Sequence, residues 1–180
     1  ATTVRVNAPE TVPEDVDFTV TIDISEVQEL NAVQYDISFD TSVLRLDDVT
    51  AGTIDSTSMP VAGWNEISAG TYRIVQSMGL TSVSGSGSLA VLHFHAVGTL
   101  GSSTDITITN GILSNMAAEE IPAIWIGDSV EISVIPGDAD GNGTVNVLDM
   151  TKVARIILML DEPTPGADAC LLYTSPSPRD

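Results

Sequence analysis

The 180-residue chain reads as a mostly β protein, an antiparallel sandwich or jelly roll, with an EF-hand-like calcium loop and one helix at its C-terminal end. Three observations predict this. Apolar and polar residues alternate with period two through much of the first 134 residues. Glycines and prolines punctuate those runs where strands have to turn. At Pro136-Gly137 the pattern gives way to a loop dense in Asp, Asn and Gly, followed by a helical run.

A period of two means one buried and one wet face. Val16, Phe18, Val20, Ile22 and Ile24 alternate with Asp17, Thr19, Thr21 and Asp23. Val33, Tyr35, Ile37 and Phe39 alternate in the same way with Gln34, Asp36 and Ser38. Leu92, Phe94 and Ala96 alternate with His93 and His95. Ile106 and Ile108 flank Thr107, and Val130, Ile132 and Val134 flank Glu131 and Ser133. Thr, Val and Ile dominate these runs and fit a pleated surface. Gly52, Gly63, Gly70, Gly79, Gly98 and Gly111 are among the turn positions between them. Many short strands with no helical run between them predict the sandwich.

Acidic residues number 25 against 6 basic ones, a net charge of −19. Such a surface repels phosphate backbones and anionic lipid, which argues against nucleic-acid and membrane-surface partners. It suits divalent cations and neutral or basic partners, and it also serves solubility alone. Cys170 is the one cysteine, so no intramolecular disulfide forms. No stretch approaches the roughly 20 apolar residues of a membrane span. The chain opens Ala1-Thr2-Thr3-Val4 without an initiating Met, the expectation for a processed or internal fragment.

Three segments are expected: a sandwich over 1–135, a calcium loop and helix over 136–162, and a further stretch over 163–180. The loop runs Asp138-Ala139-Asp140-Gly141-Asn142-Gly143-Thr144-Val145-Asn146-Val147-Leu148-Asp149. Calcium is a hard ion that takes six to eight oxygens in a flexible cage. Asp138, Asp140 and Asn142 offer side-chain oxygens at loop positions 1, 3 and 5. Gly143 stands at the sharp turn, Thr144 offers its carbonyl, Asn146 stands at the ninth position, and Asp149 closes the loop. The general pattern ends in Glu, so Asp149 is one methylene short. Three carboxylates in an extracellular module imply a dissociation constant of about 10⁻⁴–10⁻³ M, tighter if a partner rigidifies the loop. A helix is predicted from about Val147 to Leu160, ended by Pro163 and Pro165.

Gly137-Asp138, Asp140, Asn142-Gly143, Val145-Asn146, Leu148-Asp149 and Ile156-Ile157-Leu158 resemble one repeat of a type I dockerin. In that family Asp is the usual last loop residue. The resemblance implies structural calcium, and partner selection at Val147 and Leu148. Dockerins have two repeats. Here Pro165-Gly166-Ala167-Asp168-Ala169 restarts the motif 30 positions on from Asp138 and goes no further. Cys170 to Asp180 are read as a lost frame or a translated adaptor without function. A lone repeat leaves Val147, Met150, Val153, Ile157 and Leu160 on one helix face, with Leu148, Ile156 and Leu158 on its flanks. That helix is expected to dock on the sandwich or to be poorly ordered.

Val4 to Ala8, Val16 to Ile24, Val33 to Leu46, Gly70 to Ile74, Gly87 to Phe94 and Val130 to Ile132, in that order, resemble a cohesin, the receptor that dockerins bind. The resemblance implies a protein-binding face made by one sheet and no catalysis. Gln34, Asp36, Arg73, His93 and His95 are outward-facing candidates for it. His93 and His95 also form a His-x-His pair of the kind that binds zinc or copper, though no third ligand is evident. Trp64, Trp125, Tyr35 and Tyr72 are candidates for a sugar-stacking platform or for packing. Asp47-Asp48 and Glu119-Glu120 are adjacent on strands and point opposite ways, so neither pair flanks a glycosidic bond. No nucleophile or phosphate-loop motif is present. The expected function is a secreted or cell-surface assembly module, bacterial or archaeal, with a dockerin or cohesin partner and Ca2+, as part of a polysaccharide-degrading or surface complex. A carbohydrate-binding module of a larger glycoside hydrolase and a surface adhesin are the alternatives.

Overall fold

In the computed structural model, which describes residues 1–168, twelve strands form one strongly curled sheet that closes around its own core. The strands are β1 (Thr2–Asn7), β2 (Thr11–Val12), β3 (Asp17–Ser38), β4 (Leu44–Ile54), β5 (Thr57–Met59) and β6 (Val61–Ser68). They continue as β7 (Thr71–Ser77), β8 (Val83–Ala96), β9 (Ser103–Asn115), β10 (Glu120–Ile121), β11 (Ala123–Ile126) and β12 (Asp128–Ile132). Two helices follow, α1 (Val147–Ile157) and α2 (Pro165–Asp168).

The two alternating runs that read as separate strands are the halves of β3, which is 22 residues long. Its first half pairs with β1 and β8, and its second half with β7 and β9. Between them the register with β8 shifts twice, and Glu29 adopts φ 54°. Each irregularity bends and twists the strand, which lets one segment belong to both layers. Two pairings depart from the antiparallel expectation: β1 runs parallel to β11 and β2 parallel to β12.

The alternation is borne out in the packing. Val20, Ile22, Ile24, Val33, Tyr35, Ile37, Leu92 and Phe94 all lie in the core. The Phe94 ring meets Phe39 edge-on at 5.0 Å and stacks on Phe18 at 5.8 Å. One polar network crosses this core. The Tyr35 hydroxyl donates to Gln76 Oε1 at 3.0 Å, and Gln76 Nε2 donates to the carbonyls of Met59 (3.0 Å) and Leu89 (2.6 Å). Burial with no charged neighbour holds the Tyr35 phenol well above its ordinary range.

The helix α1 ends at Ile157, with Leu158 as its cap, slightly short of the predicted Leu160. Its Val153 and Ile156 bury against Ala139 and Ala167 in a cluster apart from the sandwich core. The helix thus packs on its own loop and on α2, not on the sandwich as expected. Val147, Leu148, Met150, Ile157, Leu158 and Leu160 remain exposed. Ala169, Cys170 and the suspect tail to Asp180 lie outside the described residues.

Replacing Gln76 by Ala leaves the Tyr35 hydroxyl and two buried carbonyls without their partner. The expected loss is about 2–4 kcal/mol of unfolding free energy, read from urea denaturation of the purified chain.

Candidate functional site

On β6, β7, the second half of β3 and β9, the register sets Gly63, Val75, Gln34 and Ile112 in one row. Asn65, Arg73, Asp36 and Thr109 form the row beside it. Both rows point outward, because the alternate residues Val33, Tyr35, Ile74 and Gln76 are buried. Val75 is 36% and Ile112 48% exposed, so this face offers apolar surface to solvent.

Asp36 is only 1% exposed although it stands on the outward side. Arg73 covers it with a fork: Nε donates to Oδ1 at 2.8 Å and Nη2 to Oδ2 at 3.0 Å. Asn110 Nδ2 adds a third bond to Oδ2 at 2.9 Å. Asn110 takes φ 51° beside a register shift between β3 and β9, and its amide bonds Asp36 from that position. The Arg73 hydrogen bonds hold the Asp36 carboxyl below the usual range against the opposing effect of burial. The two charges cancel, so both rows are neutral in a chain of net charge −19. Sequence reading picked Gln34, Asp36 and Arg73 but missed Val75, Asn110 and Ile112. The apolar doublets Ile74-Val75 and Ile112-Leu113 were the available signal, since each breaks the alternation and sends one apolar residue outward.

His93 and His95 do not join this face. They stand on β8, between the first half of β3 and β4. His93 Nε2 bonds Thr50 Oγ1 at 2.9 Å, and His95 bonds Asp17 and Asp15. The four aromatic candidates form no single exposed platform. Tyr35 is fully buried and meets Trp125 at 6.2 Å, while Trp64 meets Tyr72 at 5.9 Å and both indoles pack on the core. Trp64 lies within β6. Asp47 pairs with Arg45, and Glu119 accepts from Asn115.

The acidic loop is organised around Asp138. Its Oδ1 accepts the backbone N–H of Gly141 (2.9 Å) and Asn142 (3.1 Å), and its Oδ2 accepts that of Gly143 (2.7 Å). Gly143 takes φ +88°, a conformation that side chains resist. Asp149, in the first turn of α1, reaches back to the N–H of Asn146 (2.5 Å) and Asp140 (3.3 Å). Asn146 caps the helix, its side chain accepting from Leu148 N–H at 2.7 Å, so the pair forms a capping box. Gly166 of α2 lies so close to the Asp138 carbonyl that any Cβ there would collide with it.

One oxygen from each of Asp138, Asp140 and Asp149 lies within 4.8 Å of the others. Asn142 stands beside them, its Nδ2 donating to Asp140 at 2.8 Å and its Oδ1 accepting from Thr144 N–H at 2.8 Å. The Thr144 carbonyl makes one long contact, 3.5 Å, with Asn146 Nδ2. Burial pushes the Asp138 carboxyl up, and the Asn146 N–H draws that of Asp149 down. The basic side chains of α1, Lys152 and Arg155, are drawn to Asp161 instead of this cluster. An all-oxygen donor set of this charge fits a hard divalent cation. Among the six expected donors Asp138 is the most engaged, with three backbone N–H groups on its carboxylate, and the Asn146 oxygen already caps α1.

A neutral, part-apolar sheet face on an acidic β-sandwich defines a module for protein–protein contact. The cohesin domain model matches residues 2–132, and the chain belongs to the cohesin family, whose members are non-catalytic interaction modules. The sequence matches no curated protein. Among solved structures it is similar to a non-cellulosomal cohesin of the archaeon Archaeoglobus fulgidus, at 18% identity and TM-score 0.60 over 73% of this chain and 90% of that one. A cohesin module of a Clostridium perfringens family 33 glycoside hydrolase matches at 13% identity and TM-score 0.64, over 73% and 96%. A type I cohesin–dockerin complex of Clostridium thermocellum matches at 13% identity and TM-score 0.62, over 74% and 94%. At these identities the likeness is one of fold. Among the described residues no helix is long and apolar enough to cross a membrane.

Because the folded-state pKa of Asp36 is depressed, its stabilising contribution is present above the ordinary aspartate value and lost as pH falls through the folded one. In Arg73→Met the Asp36 titration, followed by carboxyl-carbon NMR, is expected to move upward. Acid unfolding should then begin at a higher pH than in the parent.

Proposed function

We propose that this chain is a dockerin-binding cohesin that docks its partner on the neutral face formed by β6, β7, β3 and β9. The observation that carries the reading is the Asp36–Arg73–Asn110 network flanked by exposed Val75 and Ile112. A centre whose charges are paired with each other, with apolar residues beside it, presents no uncompensated charge to be desolvated when a partner docks. The Clostridium thermocellum relative, solved as a complex with a dockerin, supports the same partner class. The packed aromatic rings favour a protein partner over a glycan.

The proposal extends to the C-terminal segment. Residues 136–162 act as a single dockerin-type unit, with the sandwich occupying 1–135 and the start of a second repeat opening the 163–180 segment. Asp138, Asp140, Asn142, Thr144, Asn146 and Asp149 would hold one Ca2+, whose role is structural: it neutralises the loop carboxylates and fixes the start of α1. The setting is a secreted or cell-surface assembly, and its association with polysaccharide breakdown is part of the same proposal.

Val75→Asp and Ile112→Asp are each expected to weaken binding to a panel of dockerins at least about tenfold by calorimetry, while unfolding free energy moves by only about 0.5 kcal/mol. Val97→Asp, off this face, should bind as the parent does. Equal affinities in all three variants would count against the docking face.

Calcium titration should release heat and raise the helical signal, with half-saturation at or below about 1 mM. Asp138→Ala should abolish both. Silence at millimolar calcium in the parent would remove the loop from the proposal and leave the sandwich reading standing.

A further inference from the structure

At the opposite sheet layer, His95 is held at both ring nitrogens. Nδ1 lies 2.6 Å from Asp17 Oδ1 and Nε2 lies 2.7 Å from Asp15 Oδ1. Ionised carboxylates only accept hydrogen bonds, and a neutral imidazole has one N–H to give. Both contacts therefore exist together only when the ring carries two protons and a positive charge. The His95 side chain is 17% exposed, whereas Asp15 and Asp17 are 92% and 83% exposed. The ring is thus the fixed partner that draws two free carboxylates onto the strand.

The contacts join three elements. His95 sits on β8 directly opposite Asp17 of β3 and Arg45 of β4. Asp15 belongs to the turn before β3, where it adopts φ 55°. That turn is anchored by two backbone bonds, from Asp15 N–H to the Ala96 carbonyl (3.1 Å) and from Ala96 N–H to the Val16 carbonyl (2.9 Å). The same turn carries Pro13 and Glu14, which help to line a crevice shared with Asp138, Asp140 and Gly166.

We propose that doubly protonated His95 is a pH-operated clasp, tying the Asp15 turn and the start of β3 to β8 and releasing Asp15 when it loses a proton. The groups facing the ring determine the sign. Asp15 comes from the turn, Asp17 from β3, Asp47 from β4, and Arg45, also from β4, opposes them. Arg45 is itself paired with Asp47 at 2.6 Å, which blunts its repulsion. His93, two residues along β8, bonds Thr50 and takes no part. The hydrogen bonds to Asp17 and then Asp15 raise the His95 pKa above its ordinary value. The clasp therefore contributes fully below the ordinary histidine value, about 6.5, and is lost as pH rises through the higher folded value.

The test is a pH series of long-range nitrogen–proton spectra on the full chain, together with amide protection factors at Asp15 and Ala96. His95 is expected to stay cationic beyond the ordinary histidine midpoint. Protection at Asp15 should then fall roughly two- to fivefold across the His95 titration, the scale of an exposed ion pair. His95→Gln should erase that dependence, and His93→Gln should leave it intact. Should His95→Gln fail to fold, Asp15→Asn alters an exposed side chain and should lower the His95 midpoint. A midpoint at or below the ordinary value overturns the clasp, as does one unmoved by Asp15→Asn. Stoichiometric zinc binding that perturbs the His95 ring would likewise overturn it, making the cluster a metal centre with Asp17 and Asp47.

Discussion

The molecule depends on one strand satisfying its backbone hydrogen bonds along both edges at once. Over β3, Asp17 to Ile24 pairs with β8, Thr21 to Ile24 pairs with β1 on the other side, and Ala32 to Ser38 pairs with β7 and β9. A buried strand cannot leave N–H and C=O groups unpaired without a cost of roughly 1–3 kcal/mol for each. Four neighbours are therefore committed by a single segment, and the bend between its halves decides where each layer lies. The core follows from this arrangement. Tyr35 and Ile37 point inward from the second half, Val20 and Ile22 from the first, and Leu92 and Phe94 meet them from β8.

The period-two pattern identified which residues face the core, because burial of one side chain in two is a local property. Val33, Tyr35, Ile37, Leu92 and Phe94 were all legible in this way. The continuity of β3 was not, because the polar stretch around Glu26, Gln28 and Glu29 looks like a loop. It remains in the strand because the partner register shifts to accommodate it. The parallel neighbours of β1 and β2 were equally hidden, since pairing between distant segments leaves no local signature.

Site residues divide along the same line. The oxygen donors of the acidic loop lie within twelve consecutive positions and could be listed from spacing alone. The sheet face joins residues from four strands, and only its register reveals that Asn110 and Arg73 share Asp36. His95 is a similar case. Its partners Asp15 and Asp17 lie about eighty positions away, at separations of 80 and 78. The outward position of His95 was readable, but its ionic partners were not.

The parallel ladder between β1 and β11 also carries a kinetic meaning. Thr2 meets Ala123 and Arg5 meets Ile126, so the first strand made is completed by one of the last. Val12 likewise waits for Ile132 of β12. A chain emerging from a ribosome or a translocation pore cannot close this sandwich until nearly the whole of it has come through. Closing so long a loop makes folding slow, because its entropy is lost before the contact forms. In the interval β1 travels with one edge exposed. Arg5, Asn7 and Glu10 along that leading segment are the kind of polar and charged residues that keep an unpaired edge from recruiting a neighbour's strand.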